Sequence, residues 1–343
     1  HPPKHCANPG HGIKSARLLT RFLPEEGNTL PMPDFTFIHS ADIHLDSSLR
    51  GLERYEGAPV EEIRGATRRA MDNLVELAIS EQVDFLLIAG DLYDGDWKDY
   101  NTGLFFVERM SRLRAAEIPV FIIAGNHDAA SQITKSLKLP DNVTVFSTKK
   151  PERVVLADLQ VAICGQGFAK REVTADLSQA YPPADPELFN IALLHTCLDG
   201  KPGHAAYAPC SVDGLRSKGY QYWALGHVHG REVVSEDPWI VFPGNIQGRH
   251  IRETGAKGCS LVRVENAQVL SVEHRDLDVM RWEVCHLDVS SCGSLDGFFA
   301  LARRSLEEAL ESAGGRPLAV RIVLEGGSEI HAELHSDREQ IIQ

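Results

Sequence analysis

Five short stretches of the sequence end an apolar run with side chains that can bind a metal ion or move a proton. These side chains are Asp42 and His44 in SADIHLD, Asp91 and Asp94 in IAGDLYDGD, Asn126, His127 and Asp128 in IAGNHD, His195 in ALLHTC, and His227 and His229 in LGHVHG. Imidazole and carboxylate ligands without thiolate are typical of a divalent ion such as Mn, Fe or Zn. One ion would be over-supplied, whereas two ions about 3.5–4 Å apart need a bridging carboxylate and further ligands on each side. The set therefore predicts a site for two metal ions.

Two of the stretches place ligand types two residues apart. Asp42 and His44, and likewise His227 and His229, have the spacing at which extended backbone directs both side chains to one face. Taken singly, other groups have plainer interpretations: His195 is typical of a buried core imidazole, and both Gly-Asp and GNHD are typical of turns. The functional interpretation depends on all of these groups occurring together, each at the end of an apolar run.

The elements that must position these groups alternate in type from Phe35 onward. The order is a strand in TFIHSAD, a helix in EEIRGATRRAMDNLVELAISEQ, a strand in DFLLIAGD, a helix around NTGLFFVERMSRLRAAE and a strand in PVFIIAGN. Buried β-branched strands separated by helices pair in parallel. Because the carboxyl ends of such strands meet at one crevice, side chains far apart in sequence are expected to share a site.

After Leu139 the apolar runs lie closer together, which predicts mixed sheets. The strands are VTVF, RVVL, LQVAICG, NIALLHT, YWALGHVH, WIVFPGN, GCSLVRVE and QVLSVEHRD. The predicted fold class is α/β, a two-layer mixed β-sandwich flanked by helices, over residues 32–276. Residues 277–343 are expected to form a small β-α-β capping domain that is cut off in HSDREQIIQ as a helix starts. Residues 1–31, rich in Pro, His and Gly, are expected to be a disordered leader, a cloning remnant or an upstream start.

Composition excludes several classes of protein. The 343 residues contain no run of 18 apolar residues, which argues against a membrane-spanning protein and for a soluble one. The net charge of −13 argues against a broadly basic nucleic-acid binder. Since the segment from Asp276 onward carries about half of the acidic excess, a phosphate-binding surface is expected before it. The 7 cysteines form no C-x-x-C pair, which favours reduced thiols and a cytoplasmic location.

The ordered set D-x-H, GD-x-x-D, GNHD, a single His and GH-x-H resembles the signature of calcineurin-like metallophosphoesterases over residues 35–230. FIHSADIHLDSSLRGL, WALGHVHGREVV and FPGNIQGRHIRETGAKG are similar to the SbcD and YhaO group of bacterial DNA-repair exonucleases. The resemblance implies a two-metal exonuclease or endonuclease that hydrolyses phosphodiester bonds in DNA during double-strand break repair or end processing. Mn²⁺ is the expected metal, with Fe or Zn as alternatives. An SMC-like ABC ATPase of SbcC or YhaN type and a second copy of the chain are the implied protein partners.

The resemblance also implies a role for each site residue. Asp42, His44 and His229 would hold the first metal, Asn126, His195 and His227 the second, and Asp91 would bridge both. His127 would face the scissile phosphate, where an imidazolium can stabilise charge or protonate the departing oxygen. Asp128 is expected either to orient His127 or to close the turn. Asp94 stands where many archaeal and eukaryotic nucleases have a phosphate-positioning His, and it is expected to contact the substrate. Backbone carbonyls of the strand-end loops are the expected partners of the outer nitrogens of the histidine ligands.

The loop GNIQGRHIRETGAKG, residues 244–258, is the predicted DNA contact. It offers Arg249, His250, Arg252 and Lys257 against one acid, Glu253. These cations are expected to bind the phosphate backbone without reading sequence, and a solvated hairpin loop is the structural alternative. Two other functions stay open: a phosphatase or small-molecule phosphodiesterase on the same scaffold, and a non-catalytic scaffold. The latter is disfavoured because every ligand position, and the His127 position, is filled.

Overall fold

The computed structural model of the chain describes residues 32–49, 65–94, 100–130, 137–198 and 207–336. The leader expected over residues 1–31 and most of HSDREQIIQ lie outside these ranges. In chain order the strands are β1 (Phe35–Ser40), β2 (Phe85–Ile88), β3 (Val120–Ile122), β4 (Val143–Val145), β5 (Glu152–Leu156), β6 (Val161–Gly165), β7 (Phe189–His195), β8 (Tyr222–Gly226), β9 (Glu232–Glu236), β10 (Trp239–Phe242), β11 (Gly258–Glu265), β12 (Gln268–Asp276), β13 (Arg281–Asp288) and β14 (Leu318–Glu325). The helices are α1 (Ala66–Ser80), α2 (Tyr100–Ala115), α3 (Val212–Arg216), α4 (Leu295–Ser312) and α5 (His331–Ser336).

Two six-stranded sheets form the two layers. The first has the order β12-β11-β1-β2-β3-β4, and the second has the order β5-β6-β7-β8-β10-β9. Strands β1 to β4 pair in parallel, with β11 and β12 added antiparallel at one side. In the second sheet β6, β7, β8 and β10 pair in parallel between antiparallel edge strands. The predicted α/β class, with two mixed sheets flanked by helices, is confirmed.

Apolar side chains fill the space between the sheets. Alternation along β1 directs Phe35 and Phe37 into this interface and Ile38 toward the helices. The Phe37 ring stacks on Phe85 with centroids 5.0 Å apart and meets Tyr222 of the second sheet edge-on at 5.2 Å. Burying each such ring stabilises the fold by about 1.5–3 kcal/mol. The sheets are thereby held in register, and the strand ends with them.

Helices α1 and α2 cover the outer face of the first sheet. Helix α1 buries Ala70, Leu74 and Ala78, which recur every four residues, and α2 buries Phe106 and Met110. These side chains share one core cluster with residues of β1, β2 and β3. An apolar stripe at this spacing is what a surface helix needs to pack on a sheet. The crossover helices therefore fix β1, β2 and β3 as parallel neighbours that end at the same edge.

Residues 281–325 form a small β-α-β unit. Strands β13 and β14 pair in parallel, and α4 between them packs on one face through Phe298 and Ala302. Several hydrogen bonds hold the preceding loop against the start of this unit. Trp282 Nε1 donates to the Gly248 carbonyl at 3.0 Å, the Gly255 N–H donates to the Trp282 carbonyl at 3.1 Å, and Gln247 Nε2 donates to the carbonyl of Met280, just before β13, at 2.9 Å. The loop over residues 245–257 is thus held by the start of β13 on one side.

The last described helix differs from the sequence expectation. Helix α5 begins at His331, four residues before the segment HSDREQIIQ in which a helix was expected to start. Ile330 is buried, and Leu334 packs against the same cluster as Phe298 of α4. This packing against α4 is a tertiary contact that the local sequence does not reveal.

Two further expectations from the sequence concerned membrane-spanning helices and the oxidation state of the cysteines. Within the described ranges no helix is long and apolar enough to cross a bilayer. The cysteines of those ranges are buried thiols: Cys164, Cys197, Cys210, Cys259, Cys285 and Cys292.

Candidate metal centre

The carboxyl ends of β1, β2, β3, β7 and β8 meet at one edge of the sandwich. Backbone hydrogen bonds continue past the strands and tie their exit loops together: Asp42 N–H donates to the Gly90 carbonyl at 3.0 Å, and Thr196 N–H donates to the Gly226 carbonyl at 3.1 Å. The His44 N–H donates to the Asp91 carbonyl at 3.0 Å. The structure therefore brings together the side chains that the sequence analysis selected as ligands.

One donor group consists of Asp42, His44 and His229. The Nε2 atoms of His44 and His229 lie 3.2 Å apart, and His229 Nε2 lies 3.7 Å from Asp42 Oδ1. Asp42 and His44 are buried, whereas the His229 side chain is 25% exposed. These atoms form one of the groupings of side chains in the structure that could hold a metal ion.

A second donor group lies next to the first. His195 Nε2 is 3.0 Å from Asn126 Oδ1 and 3.5 Å from Asp91 Oδ2. The same Asp91 oxygen is 3.8 Å from His44 Nε2. The His227 ring lies 5.3 Å from the His195 ring, centroid to centroid. Asp91 therefore stands between the two groups, in the place where a bridging carboxylate would be.

The donor atoms fit metal ions in spacing. Two ligand atoms that each bind one ion at about 2.1 Å, with angles between 90° and 109°, lie about 3.0–3.4 Å apart. The contacts His44 to His229 at 3.2 Å and His195 to Asn126 at 3.0 Å have this separation. In the first pair two imidazole nitrogens face each other, which is unfavourable unless a cation lies between them or one of them carries a proton.

Outer hydrogen bonds orient two of the imidazoles. His195 Nδ1 donates to the Ala89 carbonyl at 2.9 Å, and His229 Nδ1 donates to Glu253 Oε1 at 2.7 Å. With the proton on Nδ1, the Nε2 lone pair is directed into the centre, and a carboxylate partner also makes the ring a stronger ligand. A carbonyl partner was expected from the sequence, and His195 has one. The carboxylate of Glu253 was missed because it lies 24 residues beyond His229 and looks in sequence like a surface acid.

The charges of the centre favour a cation at His195. Although burial acts to lower it, the neighbouring Asp91 carboxylate raises the pKa of His195 to about 9. Burial acts to raise the pKa of Asp91, but the surrounding imidazoles, His195 first, hold it well below its usual range. Burial lowers the pKa of His44 to about 4, which leaves that imidazole neutral and able to act as a ligand. A buried carboxylate beside neutral imidazoles is a donor set for a positive ion, and a proton on His195 supplies that charge when no metal is bound.

Several site residues adopt backbone conformations that are unusual for their type. The φ values are positive at Asp42 (50°), His44 (45°), Asp91 (51°) and His227 (105°). Such conformations cost of order 1 kcal/mol or more each and persist only where surrounding contacts impose them. Here they redirect the chain at the strand ends so that side chains converge. A Cβ on Gly226 would come within 2.0 Å of the Ala89 carbonyl, so this close approach requires glycine.

His127 lies beside the two donor groups, and with His44 and Asp94 it forms a further grouping of side chains that could hold a metal ion. Its Nδ1 lies 2.9 Å from Asp94 Oδ1, and its side chain is 27% exposed. The hydrogen bond to Asp94 raises the pKa of His127, and the same contact holds the pKa of Asp94 below its usual range. Asp94 also accepts from Ser47 Oγ at 2.8 Å and lies 3.6 Å from His44 Nδ1. Asp94 was expected to contact the substrate. It lies instead beside Nδ1 of His127 and favours the protonated form of that imidazole.

Asp128 has the second of the two roles expected for it. Its carboxylate accepts from three backbone N–H groups, those of Gly125 at 2.9 Å, Tyr93 at 2.9 Å and Leu92 at 3.2 Å. Burial raises the pKa of Asp128 to about 6, with Asp91 adding to the effect. Asp128 therefore closes the turn and joins the loops after β2 and β3, and its expected assignment as the partner of His127 is corrected to Asp94.

The loop over residues 244–258 is arranged differently from the sequence expectation. Arg249 points inward, with only 13% of its side chain exposed, and its guanidinium lies 3.5 Å from Glu253 and 3.7 Å from Asp94. Lys257 is buried and donates to the His229 carbonyl at 3.2 Å. His250 is partly buried beside Glu253, and Arg252 is exposed. The cations of this loop mostly support the centre itself, because Glu253 and the site carboxylates attract them.

Comparison with known proteins agrees with this geometry. The family profile for calcineurin-like phosphoesterases matches residues 35–231, and that for the middle domain of metallophosphoesterase YhaO matches residues 282–343. The uncharacterized metallophosphoesterase YhaO of Bacillus subtilis (strain 168) is 35% identical over 299 residues, which span 86% of this chain and 72% of that protein. The DNA double-strand break repair protein Mre11 of Sulfurisphaera tokodaii is 24% identical over 307 residues, spanning 85% of this chain and 73% of that protein. Mre11 of Methanopyrus kandleri is 27% identical over 233 residues, spanning 60% and 48%.

Proposed function

The chain belongs to the calcineurin-like phosphoesterase family, and from that premise we propose that it hydrolyses phosphodiester bonds in DNA with two divalent metal ions. The observation that carries the proposal is the position of Asp91. One of its carboxylate oxygens lies 3.5 Å from His195 Nε2 and 3.8 Å from His44 Nε2, between the two donor groups.

The ligands follow from these groups. Asp42, His44 and His229 would hold the first ion, Asn126, His195 and His227 the second, with Asp91 shared between them. Two divalent ions held by these residues would supply Lewis acidity for hydrolysis and positive charge for the phosphate oxygens, and Mn²⁺ suits the mixed nitrogen and oxygen donors. The residues themselves orient the substrate phosphate and exclude bulk water from the buried side of the centre.

His127 is the proposed acid. Since Nδ1 faces Asp94, the other ring nitrogen is available to a phosphate oxygen or a leaving oxygen on the partly exposed side. The pKa of His127 is raised by that hydrogen bond, so the imidazolium persists to a higher pH than an isolated histidine. A positioned acid of this kind contributes about 10²–10⁴ in rate.

DNA is preferred to a small phosphate ester for two reasons. Two of the relatives are named as DNA double-strand break repair proteins, and the side chain of His127, the proposed acid, is 27% exposed and can be reached from solvent. An SMC-like ATPase partner, a homodimer, a cytoplasmic location and a capping role for residues 277–343 belong to the same proposal.

The test compares polymer with small substrates. Purified protein loaded with Mn²⁺ should degrade linear DNA at low salt, and should do so less well with Mg²⁺ alone. If it hydrolyses bis(p-nitrophenyl) phosphate but leaves linear duplex and single strands intact, the nuclease assignment fails and a small-molecule phosphodiesterase or phosphatase replaces it.

One variant distinguishes an enzyme from a non-catalytic scaffold. His127→Asn should lower the rate of hydrolysis by about 10²–10⁴ while the two ions stay bound, and His286→Asn, which changes an exposed histidine of the C-terminal unit, should leave both unchanged. A His127→Asn protein that hydrolyses the substrate as fast as the wild type would contradict the assigned role.

A further inference from the structure

Two loops to which the sequence analysis assigned no function lie side by side near the metal centre. Residues 146–151 follow β4 in the first sheet, and residues 166–172 follow β6 in the second. The Gly167 N–H donates to the Ser147 carbonyl at 3.0 Å, which joins the loops across the two layers. Their exposed side chains therefore belong to one surface, although the loops come from different sheets.

The second loop is anchored to the centre itself. The Phe168 N–H donates to the carbonyl of Ala124, which directly precedes GNHD, at 2.8 Å. The Phe168 ring meets the His195 ring edge-on, with centroids 5.4 Å apart. A Cβ on Gly167 would come within 2.7 Å of the Ala124 nitrogen, so the approach depends on glycine. Both loops are thereby fixed beside the ligands proposed for the second metal.

The exposed side chains of this surface are mainly cationic. Lys149, Lys150, Lys170 and Arg171 are exposed, and we call them the loop-pair surface. Within the described part of the chain, none of these cations lies within ion-pair distance of a carboxylate. Of the nearby acids, Glu152 accepts from the Ser147 N–H at 3.0 Å, and Glu172 is exposed. The local balance is positive in a chain whose net charge is −13.

Exposed cations without carboxylate partners beside the centre suit a substrate with several phosphates. Metal ions held by the donor groups, together with His127, would neutralise the phosphate that reacts, so further cations outside the centre would gain nothing from a substrate with one phosphate. A polymer presents additional phosphates on each side of the reacting one, and exposed Lys and Arg bind these without reading sequence. Like charges held close together without counter-charges repel one another, and a polyanion relieves that repulsion.

We propose that the loop-pair surface binds the DNA phosphate backbone next to the reacting phosphate, on the side of Asn126 and His195. The inference rests on the proposed nuclease function and assigns part of its substrate-binding surface. It differs from the loop over residues 244–258, whose Arg249 and Lys257 face inward.

The experiment measures DNA binding in the absence of divalent metal. We compare two double variants of the loop-pair surface, one carrying Lys149→Gln and Lys150→Gln and the other Lys170→Gln and Arg171→Gln. The control is a double variant of α4 that carries Arg303→Gln and Arg304→Gln, which removes the same charge from the exposed face of that helix. Fluorescence anisotropy with a labelled duplex is recorded from 50 to 200 mM KCl. Removing one cation that binds a phosphate lowers the slope of log K against log salt by about 0.9. We expect the slope of each surface variant to fall by up to about 1.8 and its affinity at low salt to fall roughly tenfold, and the α4 variant to match the wild type.

The outcomes separate the two proposals. Hydrolysis of bis(p-nitrophenyl) phosphate by the Mn²⁺-loaded variants should equal that of the wild type, since no residue of the centre is changed. If the surface variants have the same salt slopes and affinities as the α4 variant, the proposal that the loop-pair surface binds DNA fails and the nuclease function stands. A wild type that binds duplex DNA but cleaves only the small diester overturns the nuclease function alone, and a wild type that does not bind duplex DNA at 50 mM KCl overturns both.

Discussion

Replacing Glu253 with glutamine should weaken the binding of one metal ion and leave the other nearly unchanged. Glu253 is buried, and its Oε1 accepts from His229 Nδ1 at 2.7 Å. Although burial acts to raise it, the contact with His229 holds the pKa of Glu253 well below its usual range, so the group is a carboxylate. Hydrogen bonds to an ionised acceptor are about twice as strong as those to a neutral one.

The magnitude follows from what the substitution preserves. Changing the outer partner of a ligating imidazole costs about 10–100-fold in metal affinity, which is about 1.4–2.7 kcal/mol. Because the glutamine oxygen can still accept from His229, we expect the lower end, about tenfold, for Glu253→Gln. Glu253→Ala should approach the upper end and also lower thermal stability, since Asn245 Nδ2 and the Arg249 N–H, which donate to Glu253 at 3.0 Å and 2.7 Å, lose their acceptor.

The assay is calorimetric titration of the metal-free protein with Mn²⁺. Glu253→Gln should shift one of two binding phases by about tenfold, because the carboxylate contacts a ligand of the first group only. Glu273→Gln is the matched control, since that carboxylate pairs with Arg263 on the surface and is 46% exposed. Two unchanged phases in a folded Glu253→Gln protein would refute the reasoning, and equal weakening of both phases would show that Glu253 acts on the whole centre instead.

Three further predictions concern neighbouring residues. Asn126→Ala should weaken one Mn²⁺ phase in the same titration, whereas His127→Asn should retain both phases and lower kcat by about 10²–10⁴; loss of metal from His127→Asn would contradict its placement outside the donor groups. Gly226→Ala should abolish metal binding or folding because its Cβ would lie 2.0 Å from the Ala89 carbonyl. A Cβ on Gly230 would have no neighbouring atom within 4 Å, so Gly230→Ala should leave the melting temperature and the Mn²⁺ titration unchanged. Asp128→Ala leaves three buried backbone N–H groups without their acceptor and should lower the free energy of unfolding by several kcal/mol, measured by urea denaturation; an unchanged midpoint would mean that water replaces the carboxylate at no cost.

The fold was largely predictable because its signals are local. Apolar runs such as those of β2 and β7 lie inside one stretch of sequence, and helical spacing in α1 is visible without any partner. The convergence of the site residues was also predictable, since parallel strands must end at one edge. The start of α5 was not predicted, and the side chains at this end of the chain pack against α4, a contact that the local sequence does not contain.

The surroundings of the site were harder to predict because they depend on tertiary contacts. Asp94 and Asp128 are both carboxylates in strand-end loops, and only the direction of each side chain shows which of them reaches His127. Arg249 and Lys257 looked like surface cations because the buried position of Glu253 is invisible in sequence. The loop-pair surface joins loops after β4 and β6, which belong to different sheets, and no spacing along the chain reveals that contact.

The hydrogen bonds from Trp282 to Gly248 and from Gln247 to Met280 have a consequence for the size of the smallest active fragment. Glu253 lies in the segment that these bonds hold, and it lies well beyond His229, the last of the proposed ligands. A fragment cut after the family signature near residue 231 would contain all the proposed ligands but lack the carboxylate that orients one of them. A fragment cut before β13 would keep Glu253 but leave its segment without the anchor at Trp282. We therefore expect the autonomous catalytic fragment to extend through β13, nearly sixty residues past the last proposed ligand.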